Sequence, residues 1–163
     1  MPIDATELQA CYQRVERPLH NVLYRWLWDA QACQDTMHDA FLRLWARREQ
    51  LSPQGLDALA YTTALNLARN QLRWRRLRAW IGLNTLDAQP QDDTDILAER
   101  HQLRRALEQL DTNERDILLL SEFSGFDTNE LARLLGIAPG TVGSRRHRAL
   151  VKLRRLMGVD DAS

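Results

Sequence analysis

The feature that most constrains this chain is the run from Glu130 to Leu150. Leu131, Leu134 and Leu135 recur at helical spacing, Gly136 stands where that helix must stop, and Pro139 can open a second helix whose Val142 turns back to the core. That is the pattern of a helix-turn-helix. Its second helix carries Arg145, Arg146, Arg148, Lys152, Arg154 and Arg155, and no acid lies between Thr141 and Met157. Such a charge distribution suits an element lying against phosphates, so the segment reads as a DNA-binding module.

The remainder is of one kind. Leu-, Ala- and Arg-rich periods dominate, β-branched alternation is nearly absent, and the expected fold is all-α: two small helical domains joined by a flexible linker, the C-terminal one a helix-turn-helix domain. With 163 residues there is room for two such units, and the formal net charge of zero argues against a uniformly basic nucleic-acid binder. The charge is instead segregated. Residues 69 to 78 hold Arg69, Arg73, Arg75, Arg76 and Arg78 without an acid, whereas residues 81 to 99 hold Asp87, Asp92, Asp93, Asp95 and Glu99 without a base. Cys11 and Cys33 have no metal-ligand spacing, and they predict neither a disulfide framework nor a metal site. A basic, apolar leader is missing at Met1-Pro2-Ile3-Asp4 and no apolar run approaches the ~20 residues of a membrane span, so a cytoplasmic protein without membrane insertion is expected. His20, His38, His101 and His147 are scattered and no Gly-rich phosphate loop follows a strand, which leaves no catalytic residue, no cofactor and no small-molecule substrate to propose.

Taken in order, Leu8, Cys11, Tyr12 and Val15 form one stripe from Thr6, broken at Pro18. Leu19, Val22, Leu23, Trp26 and Leu27 continue it, as a second helix or beyond a kink. From about Ala32 to Arg48 an amphipathic helix is predicted with Met37, Phe41, Leu44 and Trp45 inward. Its other face presents Asp35, His38, Asp39 and Arg43 as a polar strip, either a solvated face or a partner surface. After the loop signal Ser52-Pro53-Gln54-Gly55 comes a long helix over 56–80 with Leu59, Leu65, Ala68, Leu72 and Ala79 inward. Opposite them Asn66, Arg69, Asn70, Arg73, Arg76 and Trp80 follow at three- and four-residue steps. Amides and guanidiniums interleaved with Tyr61, Trp74 and Trp80 suit phosphate contact and stacking on unpaired bases, or make an ordinary basic surface over a core of tryptophans. Residues 81–93 show no apolar face and read as a linker whose acids either solubilise it or mimic nucleic acid. Asp93 or Thr94, Asp111, and Asp127 or Thr128 then cap three helices that precede the last one.

These segments resemble the sigma-70 family of bacterial RNA polymerase initiation factors, in particular its small extracytoplasmic-function (ECF) group. The likeness rests on Asp35 to Trp45 (DTMHDAFLRLW), on Tyr61 to Ala68 followed by an Arg-rich turn, on Leu107 to Leu110 with Glu114-Arg115, on the Phe123 to Phe126 turn, and on Gly140 to Arg145 (GTVGSR). It implies domains at 1–80 and 94–163 around a linker at 81–93, and a protein that is not an enzyme. It implies binding of core RNA polymerase through Asp35, His38, Asp39 and Arg43, with His38 where the family normally has Gln. The −10 promoter DNA would fall to Asn66, Arg69, Asn70, Arg73 and Arg76, helped by Arg75, Arg78 and the Ser52 to Asp57 loop. The −35 DNA would fall to Thr141, Ser144, Arg145, His147 and Arg148. An anti-sigma factor is the further partner implied, able to hold the chain at the membrane. Two positions depart from the pattern. Gly143 replaces a side chain, implying one base contact fewer or a closer backbone approach, and Arg146 replaces a core-facing aliphatic residue, implying that it snorkels or pairs with an acid. Two other classes stay open on the residues alone: a helix-turn-helix regulator that never meets polymerase, and a sigma-like decoy that titrates an anti-sigma factor.

Overall fold

The computed structural model describes residues 1–82 and 95–159. Among them are seven α-helices and one short 3-10 turn, with no strand: α1 Ala5–Leu27, α2 Ala30–Ala46, the turn Arg48–Gln50, α3 Leu56–Trp80, α4 Asp95–Glu108, α5 Thr112–Phe123, α6 Thr128–Leu135 and α7 Pro139–Leu156. The chain divides into two compact units, Met1–Asn84 and Thr85–Ser163. Of the linker predicted at 81–93 only Ile81 and Gly82 are described, and the caps expected at Asp93 or Thr94 lie outside the described residues.

The first unit is a three-helix arrangement in which α1 packs on α2 and α3 and these two pack on each other. The apolar stripe of α1 supplies Cys11, Val15, Leu19, Val22, Leu23, Trp26 and Leu27 to the core, and α2 adds Cys33, Met37, Ala40, Phe41 and Leu44. Each fully buried Leu contributes roughly 1.5–3 kcal/mol of transfer free energy. That burial decides between the two sequence readings at Pro18. Pro18 lies inside a single helix rather than beginning another, because the missing N–H costs one backbone bond while the stripe on both sides of it stays buried against two neighbours. The helix also begins earlier than Thr6. Asp4 caps it, accepting from Glu7 N at 2.8 Å while Glu7 Oε2 accepts from Asp4 N at 2.9 Å. This reciprocal capping box recurs at Asp111 with Glu114 and at Asp127 with Glu130.

Polar ties fix the helices against each other. Gln71 on α3 donates to the buried Thr36 hydroxyl at 2.7 Å, and that hydroxyl donates to Ala32 O at 2.7 Å. At the start of α3 the Arg14 guanidinium grips Asp57 through Nε at 3.0 Å and Nη2 at 2.8 Å. That fork, together with the Cys11 thiol, holds the Asp57 carboxyl below the usual aspartate range. Burial in turn pushes the Cys11 thiol up to about 12, so it stays protonated and inert.

In the second unit α7 packs on α5, α6 and α4, and α5 packs on α6. Its core draws on Ala106, Leu107, Leu110, the run Ile117 to Leu120, Leu131, Ala132, Val142 and Ala149. The turn between α6 and α7 has a left-handed Gly136 at φ 68°, with Gly136 N donating to Arg133 O at 3.4 Å and Ile137 N to Ala132 O at 3.0 Å. This pair of bonds closes the α6 C-terminus, and a side chain at 136 would be strained there. Pro139 then occupies the first turn of α7, where its absent N–H costs nothing.

Candidate nucleic-acid and partner interfaces

The polar strip of α2 is where the spacing put it. Asp35, His38, Asp39 and Arg43 are all exposed, on the side away from Thr36, Met37, Ala40 and Leu44. The structure nevertheless divides the four. Asp35 and His38 line a groove of about 760 Å³ against α1, shared with Tyr12, Glu16, Arg17 and His20. Arg43 instead faces a second groove, of about 780 Å³, together with Leu51, Asn66, Arg69, Asn70 and Arg73. The strip also holds an apolar element that the sequence reading missed. Leu42 is 52% exposed, and Trp45, expected inward, is 38% exposed with the Arg48 guanidinium 4.4 Å from its ring centroid. Leu42 stands seven residues after Asp35, on the same side of the helix, so the i, i+7 spacing was the available signal.

The second groove gathers most of the predicted −10 set. Asn66, Asn70 and Arg73 are exposed along α3, and Arg69 is half-buried. Arg69 leans on the protein: its guanidinium sits 5.8 Å from the Trp26 ring centroid and donates to Asn66 Oδ1 at 3.1 Å, and burial lowers its pKa. Arg76 is exposed but does not line the groove. Ala46 at the end of α2, with Arg47 and Leu51 from the segment that follows it, forms the facing wall.

Three assignments along α3 change. Tyr61 is buried in the core, at 1% exposure, and cannot stack on a base, whereas Ala79, expected inward, is exposed. Both follow from where α3 meets its neighbours, since its buried residues end at Ala68 and the last turns project beyond α1 and α2. Arg75 is spent on the fold, donating to Leu27 O at the α1 C-terminus at 3.4 Å.

On α7, Ser144, Arg145, His147 and Arg148 are exposed and Thr141 is half-buried. Val142 and Ala149 mark the buried side. At 100° per residue the direction opposite them runs between Ser144 and His147, with Arg148 and Thr141 on one flank and Arg145 nearer the buried side. Ser144 Oγ donates to Thr141 O at 3.1 Å and Arg148 Nε to Ser144 O at 3.4 Å. Lys152 is drawn away from this face into an ion pair with Glu114 at 3.0 Å. Arg146 is exposed, its long stem carrying the charge to water from a position beside the core stripe.

Gly143 sits in regular helix on the exposed side, and a Cβ built there meets nothing within 4 Å. Gly143→Ala should therefore stabilise the protein by about 0.5–1 kcal/mol, read as a higher midpoint in thermal or urea unfolding. A lower midpoint would mean that position 143 packs against something in the folded chain.

Among the described residues no group of three or more His, Cys, Asp or Glu is placed to hold a metal ion, and no helix is long and apolar enough to cross a membrane.

Comparison with known proteins bears on both units. Residues 11–88 match the family described as sigma-70 region 2, and residues 100–153 the family described as sigma-70, region 4. The chain is 29% identical over 157 residues to the ECF RNA polymerase sigma factor SigL of Mycobacterium tuberculosis, covering 93% of this chain and 89% of that one. It is 32% identical over 139 residues to the ECF RNA polymerase sigma factor EcfG of Rhodopseudomonas palustris, covering 82% and 76%. Its fold is similar to that of the sigma factor RpoE of Bartonella quintana, solved in complex with the anti-sigma factor NepR, with a TM-score of 0.62, 23% identity, and 95% and 94% of the two chains covered.

Proposed function

Because the chain belongs to the sigma-70 family of RNA polymerase sigma factors, we propose that its two units divide promoter recognition, the first reading the −10 element and the second the −35 element. Members of the family are DNA-binding initiation factors rather than enzymes, and this ECF-type chain works with RNA polymerase in promoter-specific initiation.

The observation that supports the reading of the first unit most is the separation of two faces on it. Asp35, His38 and Asp39, with Leu42 between them and Trp45 beside them, make a mixed polar and apolar strip suited to a protein partner. The groove of Asn66, Asn70 and Arg73, with Arg43 at its edge, offers amides and guanidiniums for a DNA strand. In this reading core polymerase docks on the strip while DNA follows the groove. Unpaired bases meet Asn66 and Asn70, phosphates meet Arg73 and Arg76, and Arg69 acts by holding Asn66 through its hydrogen bond. On α7, Ser144, His147 and Arg148 face the major groove of the −35 element, with Thr141 and Arg145 at the margin.

An anti-sigma factor is the third partner of this reading, supported by the complex in which a chain of similar fold was solved. The protein acts in the cytoplasm, and any membrane tether is supplied by that factor.

The reading is tested by mixing the chain with core polymerase and a promoter template whose transcript starts have been mapped after overexpression. Stable holoenzyme and a specific transcript are expected. No binding to core polymerase would sink the reading, and binding of an anti-sigma factor without any transcript would mark a titrating decoy.

A further inference from the structure

The groove between α1 and α2 gathers both histidines of the first unit. His20 lines it from α1, half-buried, its ring stacked on Tyr24 with the centroids 6.2 Å apart, and His38 lines it from α2, exposed. Imidazole is the side chain that changes charge between about pH 5 and about pH 8. Two of them facing one cleft from different helices make its charge depend on pH.

The neighbours decide what that change does. Tyr12, Glu16 and Arg17 of α1 and Asp35 of α2 share the cleft, and the Tyr12 hydroxyl donates to Glu16 Oε1 at 3.5 Å. Asp39 follows His38 directly on α2. On α3, which packs on both helices, the only acid is Asp57, taken up by Arg14, and Arg69 and Arg73 border the other groove. With both imidazoles neutral, the carboxylates of Glu16, Asp35 and Asp39 outnumber the Arg17 guanidinium and this side of the unit is acidic. With both protonated, the charges balance.

His38 also stands where a docked partner covers it. At 100° per residue it lies about 20° from Trp45 and about 40° from Leu42 around α2, so it is flanked by the two exposed apolar side chains of the strip. A partner that buries Leu42 and Trp45 buries His38 with them. There a charged imidazole loses its water beside apolar side chains, and it opposes the cationic groups that match Asp35 and Asp39. Both effects favour the neutral ring. Docking therefore expels a proton, and affinity is full above the range in which the free imidazole titrates and falls as the pH drops through it.

We propose that His38, with His20 across the groove, makes the docking of core polymerase on α2 sensitive to pH, so that acidification holds the chain back from polymerase. This rests on the reading of the α2 strip as the polymerase surface. The walls of the second groove carry no histidine, so in the first unit the switch acts on assembly and not on the DNA groove.

The experiment titrates the full chain against core polymerase at constant ionic strength, from about pH 7.5 to about pH 5.5, where each proton that must leave weakens binding by up to tenfold per pH unit. His38→Gln with His20→Gln is the comparison, because its profile contains whatever polymerase itself contributes. The wild-type chain is expected to lose about tenfold more affinity over this range than the double variant, each normalised to its own value at the upper pH, and His38→Gln alone should remove most of the difference. His38→Lys, charged throughout, should bind at the upper pH about tenfold more weakly than the wild type, a measurement that needs no acid, and thermal unfolding at each pH checks that every variant folds. If the wild-type and double-variant profiles superpose, or His38→Gln keeps the wild-type profile, the switch is wrong and the polymerase reading stands. Tighter wild-type binding at low pH, relative to the double variant, would overturn the proposal by its sign. If the chain binds core polymerase at no pH, the reading of the strip falls and the proposal falls with it.

Discussion

Asp35→Arg combined with Asp39→Arg is expected to weaken binding to core polymerase by about 100-fold or more while leaving the fold intact. Reversing both charges on one strip replaces attraction with like-charge opposition at any surface that fits the native strip, and such juxtaposition costs several kcal/mol. A 100-fold loss corresponds to about 2.7 kcal/mol. Both residues are exposed, and Asp35 accepts an exposed hydrogen bond from Gln31 at 3.0 Å, so each substitution should change folding stability by no more than about 0.5 kcal/mol. A pull-down with core polymerase measures the first effect and thermal unfolding the second. Unchanged pull-down would remove α2 from the polymerase interface. Arg43 is left out of this variant for a structural reason: it faces the groove of Asn66 and Asn70, and changing it would disturb DNA and polymerase together.

That separation of Arg43 from Asp39 shows where the sequence stopped being informative. Spacing of four residues places both on one side of α2, which is correct, but the side of a helix does not say what stands next to each turn. The first turns of α2 lie along α1 and the last turns along α3, so one strip borders two different grooves. The same limit explains Trp45 and Tyr61. Phase along the helix predicts Trp45 inward and composition offers Tyr61 for stacking on bases, and the packing of three helices reverses both. Arg75 and Lys152 likewise read as phosphate contacts from composition, yet each is engaged across the fold, at the α1 C-terminus and at Glu114. Local chemistry was legible where its causes are local. The Asp-x-x-Glu boxes at Asp111 and Asp127, the glycine stop at Gly136 and the proline start at Pro139 depend only on neighbours in sequence, and these helix boundaries follow them. Pro18 is the instructive exception, because its cost is local but the burial that outweighs it is not.

Arg148→Ala is the companion expectation for the second unit: about a tenfold loss of affinity of holoenzyme for its promoter, with core binding unchanged. An Arg reading guanine O6 and N7 is worth roughly 1–3 kcal/mol of discrimination, and 1.4 kcal/mol is tenfold. The geometry of α7 ranks the residues. His147 lies close to the direction opposite Val142 and Ala149 and Arg148 about 70° from it, whereas Arg145 lies nearer the buried side, so Arg145→Ala should cost less. Arg148→Lys should not restore the loss, because a planar fork and a point charge are not interchangeable at a bidentate contact. Salt titration separates the two ways an arginine can act. A base contact loses affinity on one promoter sequence and little on others, whereas a phosphate contact loses it uniformly and lowers the salt slope by about one. Arg148→Ala is expected to follow the first pattern and Arg145→Ala the second. A uniform loss for Arg148 would shift the base-reading face of α7 toward Ser144 and His147, and equal loss of promoter and core binding would mean that the substitution disrupts the fold rather than the interface.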